Sequence, residues 1–282
     1  LNRNHKVRAI MRFVRWQLGS RLVRGGILYP WVNGTRFIVR TGETGLTQNI
    51  YCGLQDYSEM AFVLHVLRQE DLFVDIGANL GSYTLLACGA IGARGYVFEP
   101  VPATYARLMD NIRINNLSYK VNAFNIGIGN KAGELRFTSN QDTMNHVVCE
   151  GDEHESDIRI KVFTLDSLLK AENPCVMKID VEGYETLVLR GAHCVLGRES
   201  LHSIIIELNG NGKKYGFDDA DIVCTLAKYG FRPFGYDPLN RSLHQLDVKN
   251  KESSNTIFIK KVDYVEMRCK EASAVIMQGI EI

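Results

Sequence analysis

The chain has 282 residues, of which 45% are hydrophobic and 23% are charged, and its formal net charge is +1. This length and composition are typical of an ordinary soluble protein with one large α/β domain plus additions. No secretory segment and no apolar run near about 18 residues is present, which argues against a membrane span. The seven cysteines form no CxxC pair and no metal-like spacing, so we expect reduced thiols and a cytoplasmic location.

The charge is concentrated at the N-terminus. Residues 1–40 contain nine bases and no acid, whereas the remaining 242 residues carry 24 bases against 32 acids, a net charge of −8. Within this basic region, five apolar residues recur at helical spacing and predict an amphipathic helix over residues 5–19: Val7, Ile10, Met11, Val14 and Leu18. Three roles stay open for it: packing on the domain, peripheral contact with an anionic membrane, or binding of an acidic substrate.

The next segments lead to the main domain. Residues 27–40 predict two short strands around an Asn33–Gly34 hairpin signal, and a Gly-punctuated stretch then runs into a helix over residues 58–68. We place the boundary between a basic extension and the domain at residues 1–52 and 53–282. Glu59 and Tyr57 are candidates to close over a cofactor, although Glu59 equally suits the positive end of the helix dipole.

Residues 72–88, LFVDIGANLGSYTLLAC, predict a buried strand, a tight turn and the start of a helix. Gly77 and Gly81 permit backbone angles closed to other residues, and the new helix directs free N–H groups at a ligand. The dinucleotide pattern GxGxxG is not met, because its three glycine places hold Gly77, Asn79 and Ser82. A tight turn without a ligand is the alternative.

The turn has the form DxGxNxG and resembles the first motif of class I S-adenosylmethionine (SAM) methyltransferases. That resemblance implies that the backbone from Gly77 to Gly81 passes under the methionine part of SAM and that Asp75 orients either the turn or the amino group. The second strand, GYVFEP, ends in Glu99, 22 residues after Gly77. An acid there suits the two ribose hydroxyls of SAM or NAD, although alone it would suit a solvated strand end.

Residues 121–129 predict a third strand, whose end would meet the adenine through Asn125 or Ile126. A long polar loop follows, and it offers Asn140, Asn145 and His146 as residues facing substrate. For His146, an exposed loop imidazole is the simpler interpretation. The residues expected to bind the cofactor are Glu59, Asp75, Gly77, Ala78, Asn79, Gly81, Tyr83, Glu99, Pro100, Asn125, Ile126 and Asp180.

Two further buried strands end in acids. Val176–Ile179 is followed by Asp180 and Glu182, and the strand after Leu201 ends at Glu207. Because ligands bind at the carboxyl edge of open α/β sheets, we expect all three acids to face the crevice that contains Gly77. There, one carboxylate takes a proton from a hydroxyl, or the acids hold a divalent cation such as Mg²⁺. Glu182 alternatively caps the next helix.

Five motifs in order make the chain similar to the FkbM family of SAM-dependent methyltransferases from about residue 53 onwards: FVDIGANLGSYT, VFEP, VFTLDSLL, KIDVEGYE with RGA, and IIIELN. The resemblance implies a Rossmann-like α/β fold, with a seven-stranded, mostly parallel sheet, an antiparallel last strand and helices on both faces. It also implies O-methylation of sugars, polyketides or other natural products. Residues 1–40 lie largely outside it.

The leading hypothesis is therefore a SAM-dependent O-methyltransferase acting on a hydroxyl of a small molecule or saccharide. Asp180 is the first choice of base, with Glu182 and Glu207 as further bases or metal ligands. The alternatives are an NAD-dependent oxidoreductase, a nucleic-acid or other N-methyltransferase, and a SAM-binding protein without turnover. The sequence gives no strong nucleic-acid signal, and a homo-oligomer stays open.

Overall fold

The computed structural model describes residues 6–23, 25–40, 43–138, 146–148, 157–277 and 280–281. The strands are β1 (Ile27–Pro30), β2 (Arg36–Val39), β3 (Leu72–Ile76), β4 (Arg94–Phe98), β5 (Val121–Phe124), β6 (Gly127–Ile128), β7 (Gly133–Phe137), β8 (Ile158–Phe163), β9 (Val176–Ile179), β10 (Ser203–Glu207), β11 (Arg232–Asp237), β12 (Ser242–Gln245), β13 (Asn255–Ile259), β14 (Ile276–Met277) and β15 (Ile280–Glu281).

The α-helices are α1 (Lys6–Leu22), α2 (Thr44–Cys52), α3 (Tyr57–Val66), α4 (Ser82–Thr84, continued by a π-helical segment Leu85–Ile91), α5 (Pro102–Ile114), α6 (Leu165–Leu168), α7 (Glu185–Arg190), α8 (His193–Gly197), α9 (Asp219–Lys228) and α10 (Val262–Lys270). Two short 3₁₀ turns, Val32–Gly34 and Asn211–Tyr215, complete the helical elements of the described residues.

The main sheet has eight strands in the order β12-β11-β13-β10-β9-β3-β4-β5. From β5 to β10 the neighbouring strands are parallel, whereas β13 runs antiparallel to both β10 and β11. The predicted fold class, a mostly parallel α/β sheet with an antiparallel last strand, is confirmed. An eighth strand, β12, pairs antiparallel with β11 at the edge.

Both faces of the central strands are apolar, because alternate side chains point into two separate cores. In β3, for example, Phe73 belongs to one core and Val74 to the other. Helices α3, α4, α5 and α10 contribute to the first core, and α6 to α9 to the second. The carboxyl ends of the parallel strands are left uncovered between these layers, and the candidate site lies there.

The N-terminal region packs on the first core. Trp16, Trp31 and Phe37 are buried in it, and the Arg107 guanidinium pairs with Glu43 at 3.0 Å. The predicted helix and hairpin are present, with the helix extending to Leu22. The division of the chain at residue 52 stays a prediction.

Three local predictions differ from the structure. The Gly-punctuated stretch contains the helix α2, which buries Leu46 and Ile50 at i,i+4 spacing. The third strand stops at Phe124, and β6 instead pairs with β8 in a three-stranded sheet with β7. The segment RIKVFTLDSLL, residues 159–169, has the apolar pattern of a single strand, but β8 ends at Phe163, because Thr164 accepts a hydrogen bond from the Ser167 N–H and starts α6.

Among the described helices, none combines the length and the apolar character needed to cross a bilayer. Six cysteines in the described ranges are free thiols, at positions 52, 88, 175, 194, 224 and 269.

Candidate active site

A crevice opens at the carboxyl ends of β3, β4, β9 and β10. One side, here called the apolar part, is an open space of about 590 Å³ whose lining includes Phe98, Ile126, Ile128, Phe137 and Tyr184, together with Glu99. The other side, the acidic part, is an open space of about 660 Å³ whose lining includes Asp75, Lys178, Asp180, Glu182 and Glu207. Gly77, Asn79, Asp180 and Glu182 line both parts.

The turn after β3 forms the wall between the two parts. Gly77 has a φ of +78°, and a Cβ at this position would lie 1.8 Å from the carbonyl oxygen of Asp180. Its N–H and that of Ala78 donate to the Phe98 carbonyl oxygen at 2.9 and 3.1 Å. Glycine is therefore required by close packing against the β9 end as well as by its backbone angle.

Glu99 is held by the backbone. The Asn79 N–H donates to Oε2 and the Val101 N–H to Oε1, each at 2.9 Å. Asn79 adopts a φ of +51°, which asparagine tolerates better than most residues. Burial raises the pKa of Glu99 to about 7, although the two N–H groups act in the opposite direction.

Neighbouring residues support this acid. Pro100 and Ile126, which the sequence predicts to contact a cofactor, line the apolar part. Asn125 does not line it; its amide instead donates to the carbonyl oxygens of Glu99 and Pro100 at 2.9 and 2.8 Å. Asn125 therefore fixes the backbone beside the candidate adenosine position.

Asp75 is buried beneath the turn, where it accepts a 2.6 Å hydrogen bond from the Thr84 hydroxyl. Burial raises its pKa to about 6. Tyr83 and Ala78 line the acidic part, and the Tyr83 hydroxyl donates to Asp56 at 3.0 Å. Gly81 lies outside both parts and starts α4 with a φ of +92°.

The three predicted acids of the acidic part come together. One carboxylate oxygen from each of Asp180, Glu182 and Glu207 lies within 4.8 Å of the others. Burial and the nearby charge of Asp180 raise the pKa of Glu182 to about 7 and that of Glu207 to about 8. The Asp180 carboxylate itself accepts a 2.9 Å ion-paired hydrogen bond from Lys178.

Lys178 is the main residue that the sequence analysis missed. It is buried in β9, and its ammonium donates to Asp180 and, at 2.8 Å, to the Asn255 side chain. The available signal was a lysine inside an otherwise apolar strand, because a buried cation requires partners. Asp56 and Tyr184 were also missed.

The helix cap belongs to a different residue from the one considered. Glu185 accepts hydrogen bonds from the Val181 and Gly183 N–H groups at 3.1 Å each. Glu182 instead has a φ of +53° and accepts from the Asn211 side chain at 3.1 Å. Its carboxylate is thereby turned toward the crevice that it lines.

Some predicted residues are not brought to the crevice. Glu59 is buried outside both parts, and its carboxylate accepts a 3.3 Å hydrogen bond from Asn250. His146 does not line the crevice, and its backbone N–H donates to the Thr138 hydroxyl at 3.1 Å. Asn140 and Asn145 lie outside the described residues.

The family model described as the methyltransferase FkbM domain matches residues 75–233, more than half of the chain. The chain belongs to the FkbM methyltransferase family. The matched region runs from Asp75 to the start of β11 and so contains Gly77, Glu99 and the three acids of the acidic part.

Two curated relatives are 27% identical to this FkbM chain. Hexuronic acid methyltransferase AglP of Haloferax volcanii aligns over 198 residues, 68% of this chain and 76% of its own length. Methyltransferase 1 of Beauveria bassiana aligns over 151 residues, which is 43% of this chain and 58% of its own length. Among solved structures, M. jannaschii TYW2 in complex with AdoMet is 10% identical, covers 84% of this chain and 87% of its own, and has a TM-score of 0.44.

The residues of the crevice fit SAM. Apolar and aromatic walls from Phe98, Ile128 and Phe137 suit a heterocyclic base. Each Glu99 oxygen retains a lone pair beside its backbone hydrogen bond, which suits the two ribose hydroxyls. Carboxylates in the adjoining acidic part suit a cationic amino group. This FkbM protein is a SAM-dependent methyltransferase.

Proposed function

We propose that the protein transfers the SAM methyl group to a hydroxyl oxygen of a saccharide or another small polyol. The observation that carries this proposal is the acidic part itself, where Glu182 and Glu207 lie beside the turn at Gly77. Carboxylates with pKa values near 7 and 8 suit removal of a hydroxyl proton at neutral pH.

SAM supplies an electrophilic methyl group on its sulfonium. The apolar part, with Glu99, would hold the adenosine portion, so that the turn at Gly77 separates the cofactor base from the acids. Most of the rate enhancement then comes from the chain holding the acceptor oxygen in line with the methyl group. The acids contribute by accepting the acceptor proton.

The structure changes our preferred base. Asp180 ranks first from sequence, but its charge is already compensated by Lys178 at 2.9 Å. Glu207 instead accepts one side-chain hydrogen bond, from Asn209 at 2.8 Å, and its pKa is raised to about 8. We therefore propose Glu207 as the base, Glu182 as its closest substitute, and the Lys178–Asp180 pair as the group that orients the site.

The charge of the site favours an uncharged hydroxyl acceptor. Lys178 compensates Asp180, but Glu182 and Glu207 add negative charge when they are ionised and would then repel an acceptor carboxylate, whereas sugar hydroxyls can donate to them. The name of the Haloferax relative supports a saccharide acceptor, and the proposed position of transfer is then a ring hydroxyl rather than a uronate carboxylate.

A divalent cation held by the same three acids is the second candidate for activating the hydroxyl. Their mutual distance is the one observation that favours it, and Mg²⁺ prefers such oxygen ligands. A cytoplasmic location and a homo-oligomeric state stay predictions.

Methyl transfer from radiolabelled SAM to a panel of glycosides and uronosides tests the proposal. We expect label in an alkali-stable methyl ether, with or without chelator. Label in an alkali-labile ester, on an amine or on nucleic acid would contradict O-methylation of a hydroxyl. Loss of transfer on chelation, restored by Mg²⁺, would move the activating role from the base to a metal ion.

A further inference from the structure

Helix α1 has two faces with different surroundings. On one face, Trp16 and Ser20 are buried against the rest of the protein. The Gln17 side chain donates to the Tyr51 hydroxyl at 3.0 Å, and Phe13 lies 5.2 Å from the Tyr51 ring. This face attaches α1 firmly to α2.

The opposite face carries six apolar side chains that are 46–84% exposed. We call this set the α1 stripe: Val7, Ile10, Met11, Val14, Leu18 and Leu22. The intervals of three and four residues place them along one side of the helix, over a length of about 22 Å. A contiguous exposed apolar surface of this kind marks an interaction site.

The positive charge beside the α1 stripe indicates what kind of partner this surface binds. Arg15 and Arg21 are exposed beside the α1 stripe, and residues 1–42 contain no acid. A second copy of the chain, packed stripe to stripe, would bring these arginines together without acids from this region to balance them. An anionic lipid surface satisfies both features, because acyl chains accept the apolar side chains and headgroups accept the arginines.

We propose that α1 docks the protein on an anionic membrane, with the α1 stripe inserted at the boundary between headgroups and acyl chains. The helix lies in the plane of the interface, and its other face stays packed on α2. Helix α2 packs against α1 and also contributes Gly45 to the acidic part, so a single helix connects the membrane-bound surface with the crevice.

Co-sedimentation with vesicles tests the proposal. We expect the protein to bind vesicles of phosphatidylcholine mixed with phosphatidylglycerol and to bind pure phosphatidylcholine at least about tenfold more weakly. The double variant Val14→Glu/Leu18→Glu should lose at least about tenfold in binding to the anionic vesicles. Raised salt and Arg15→Glu/Arg21→Glu should also weaken it.

Leu239→Glu is the matched control, because Leu239 is 79% exposed and lies in the turn between β11 and β12. It should bind vesicles like the parent protein. Unchanged binding of S-adenosylhomocysteine (SAH) by every variant shows that each one is folded.

Two results would overturn the proposal. One is the absence of binding to anionic vesicles, or binding that Val14→Glu/Leu18→Glu leaves unchanged. The other is a dimer in light scattering that this double variant converts to a monomer while vesicles bind neither form, which would assign the α1 stripe to a second copy.

Discussion

The two parts of the crevice hold their acids differently. In the apolar part, both oxygens of Glu99 accept backbone N–H groups at 2.9 Å, so the position of the carboxylate is set by the fold. In the acidic part, Asp180, Glu182 and Glu207 depend on single side-chain donors from Lys178, Asn211 and Asn209.

The difference indicates a division of labour. A carboxylate fixed by backbone groups suits binding, because its geometry costs nothing to organise when a ligand arrives. Carboxylates within 4.8 Å of one another repel, so at neutral pH some of them retain a proton and can exchange it. This contrast supports our proposal that the apolar part positions the cofactor and that the acidic part removes a proton.

The largest expected effect tests the proton-transfer role. Glu207→Gln should lower turnover by about 10²–10⁴-fold and leave SAH affinity unchanged. As a base, the parent carboxylate must lose its proton, so activity should rise with pH through about 8, and this rise should be absent in the variant. Glu134→Gln, on the exposed side of β7, is the control. Unchanged turnover in Glu207→Gln would move the role to Glu182.

The next prediction concerns the turn that joins the two parts. Gly77→Ala should lower the free energy of unfolding by at least about 3 kcal/mol, because its Cβ would overlap the Asp180 carbonyl oxygen. Gly216→Ala shares a positive φ, +80°, but its Cβ meets nothing within 4 Å, and it should lose only about 1 kcal/mol. Equal losses in urea unfolding would show that the contact with Asp180 is unimportant.

Removing the cation of the acidic part should have a smaller effect. Lys178→Met leaves Asp180 and Asn255 without their shared donor and should cost about 2 kcal/mol. This loss in the free energy of unfolding is smaller than the loss expected for breaking a fully buried ion pair, because the Asp180 side chain is 35% exposed. Lys161→Met, on the exposed side of β8, should be neutral in the same urea titration. A neutral Lys178→Met would contradict the orienting role of this pair.

The smallest effect is a pH dependence of stability. The pKa of Asp75 rises from 3.8 to about 6 on folding, so the folded state binds more protons between these values and this group's contribution to stability is lost as pH rises. From pH 5 to 7 the parent protein should lose about 1 kcal/mol relative to Asp75→Asn. If the free energy of unfolding changed with pH by the same amount in both proteins over this range, the raised pKa of Asp75 would be contradicted.

Much of the crevice follows from local sequence. Apolar runs that end in Gly77, Glu99, Asp180 and Glu207 predict parallel strands, and such strands end at one edge of the sheet. Local sequence therefore places these side chains along one edge, and the strand order β10-β9-β3-β4 makes them neighbours there.

The features of the site that local sequence does not predict depend on partners far away in the chain. Lys178 is tolerated inside β9 because Asn255, 77 residues away, accepts from it. The position of Glu59 just before β3 predicts a contact with the cofactor, but its carboxylate accepts a hydrogen bond from Asn250 and lies outside the crevice. Strand β5 ends before Asn125 because the Asn125 side-chain amide donates to the carbonyl oxygens of Glu99 and Pro100. The residues that follow form β6, which pairs with β8 instead of continuing the main sheet. None of these partners is visible in a local pattern.

The most direct test of the account is a calorimetric titration of the parent protein, Glu99→Gln and Glu207→Gln with SAH, and of the parent protein with NADH. The glutamine side chain has only one acceptor oxygen, so it cannot accept hydrogen bonds from both the Asn79 and the Val101 N–H groups as Glu99 does. Because the side chain then loses its fixed position and one acceptor for the ribose hydroxyls, Glu99→Gln should weaken SAH binding by at least about tenfold. Glu207→Gln should bind SAH like the parent protein, and NADH should not bind. Binding of NADH but not SAH, or equal SAH binding by parent and Glu99→Gln, would contradict the assignment of the apolar part to the cofactor.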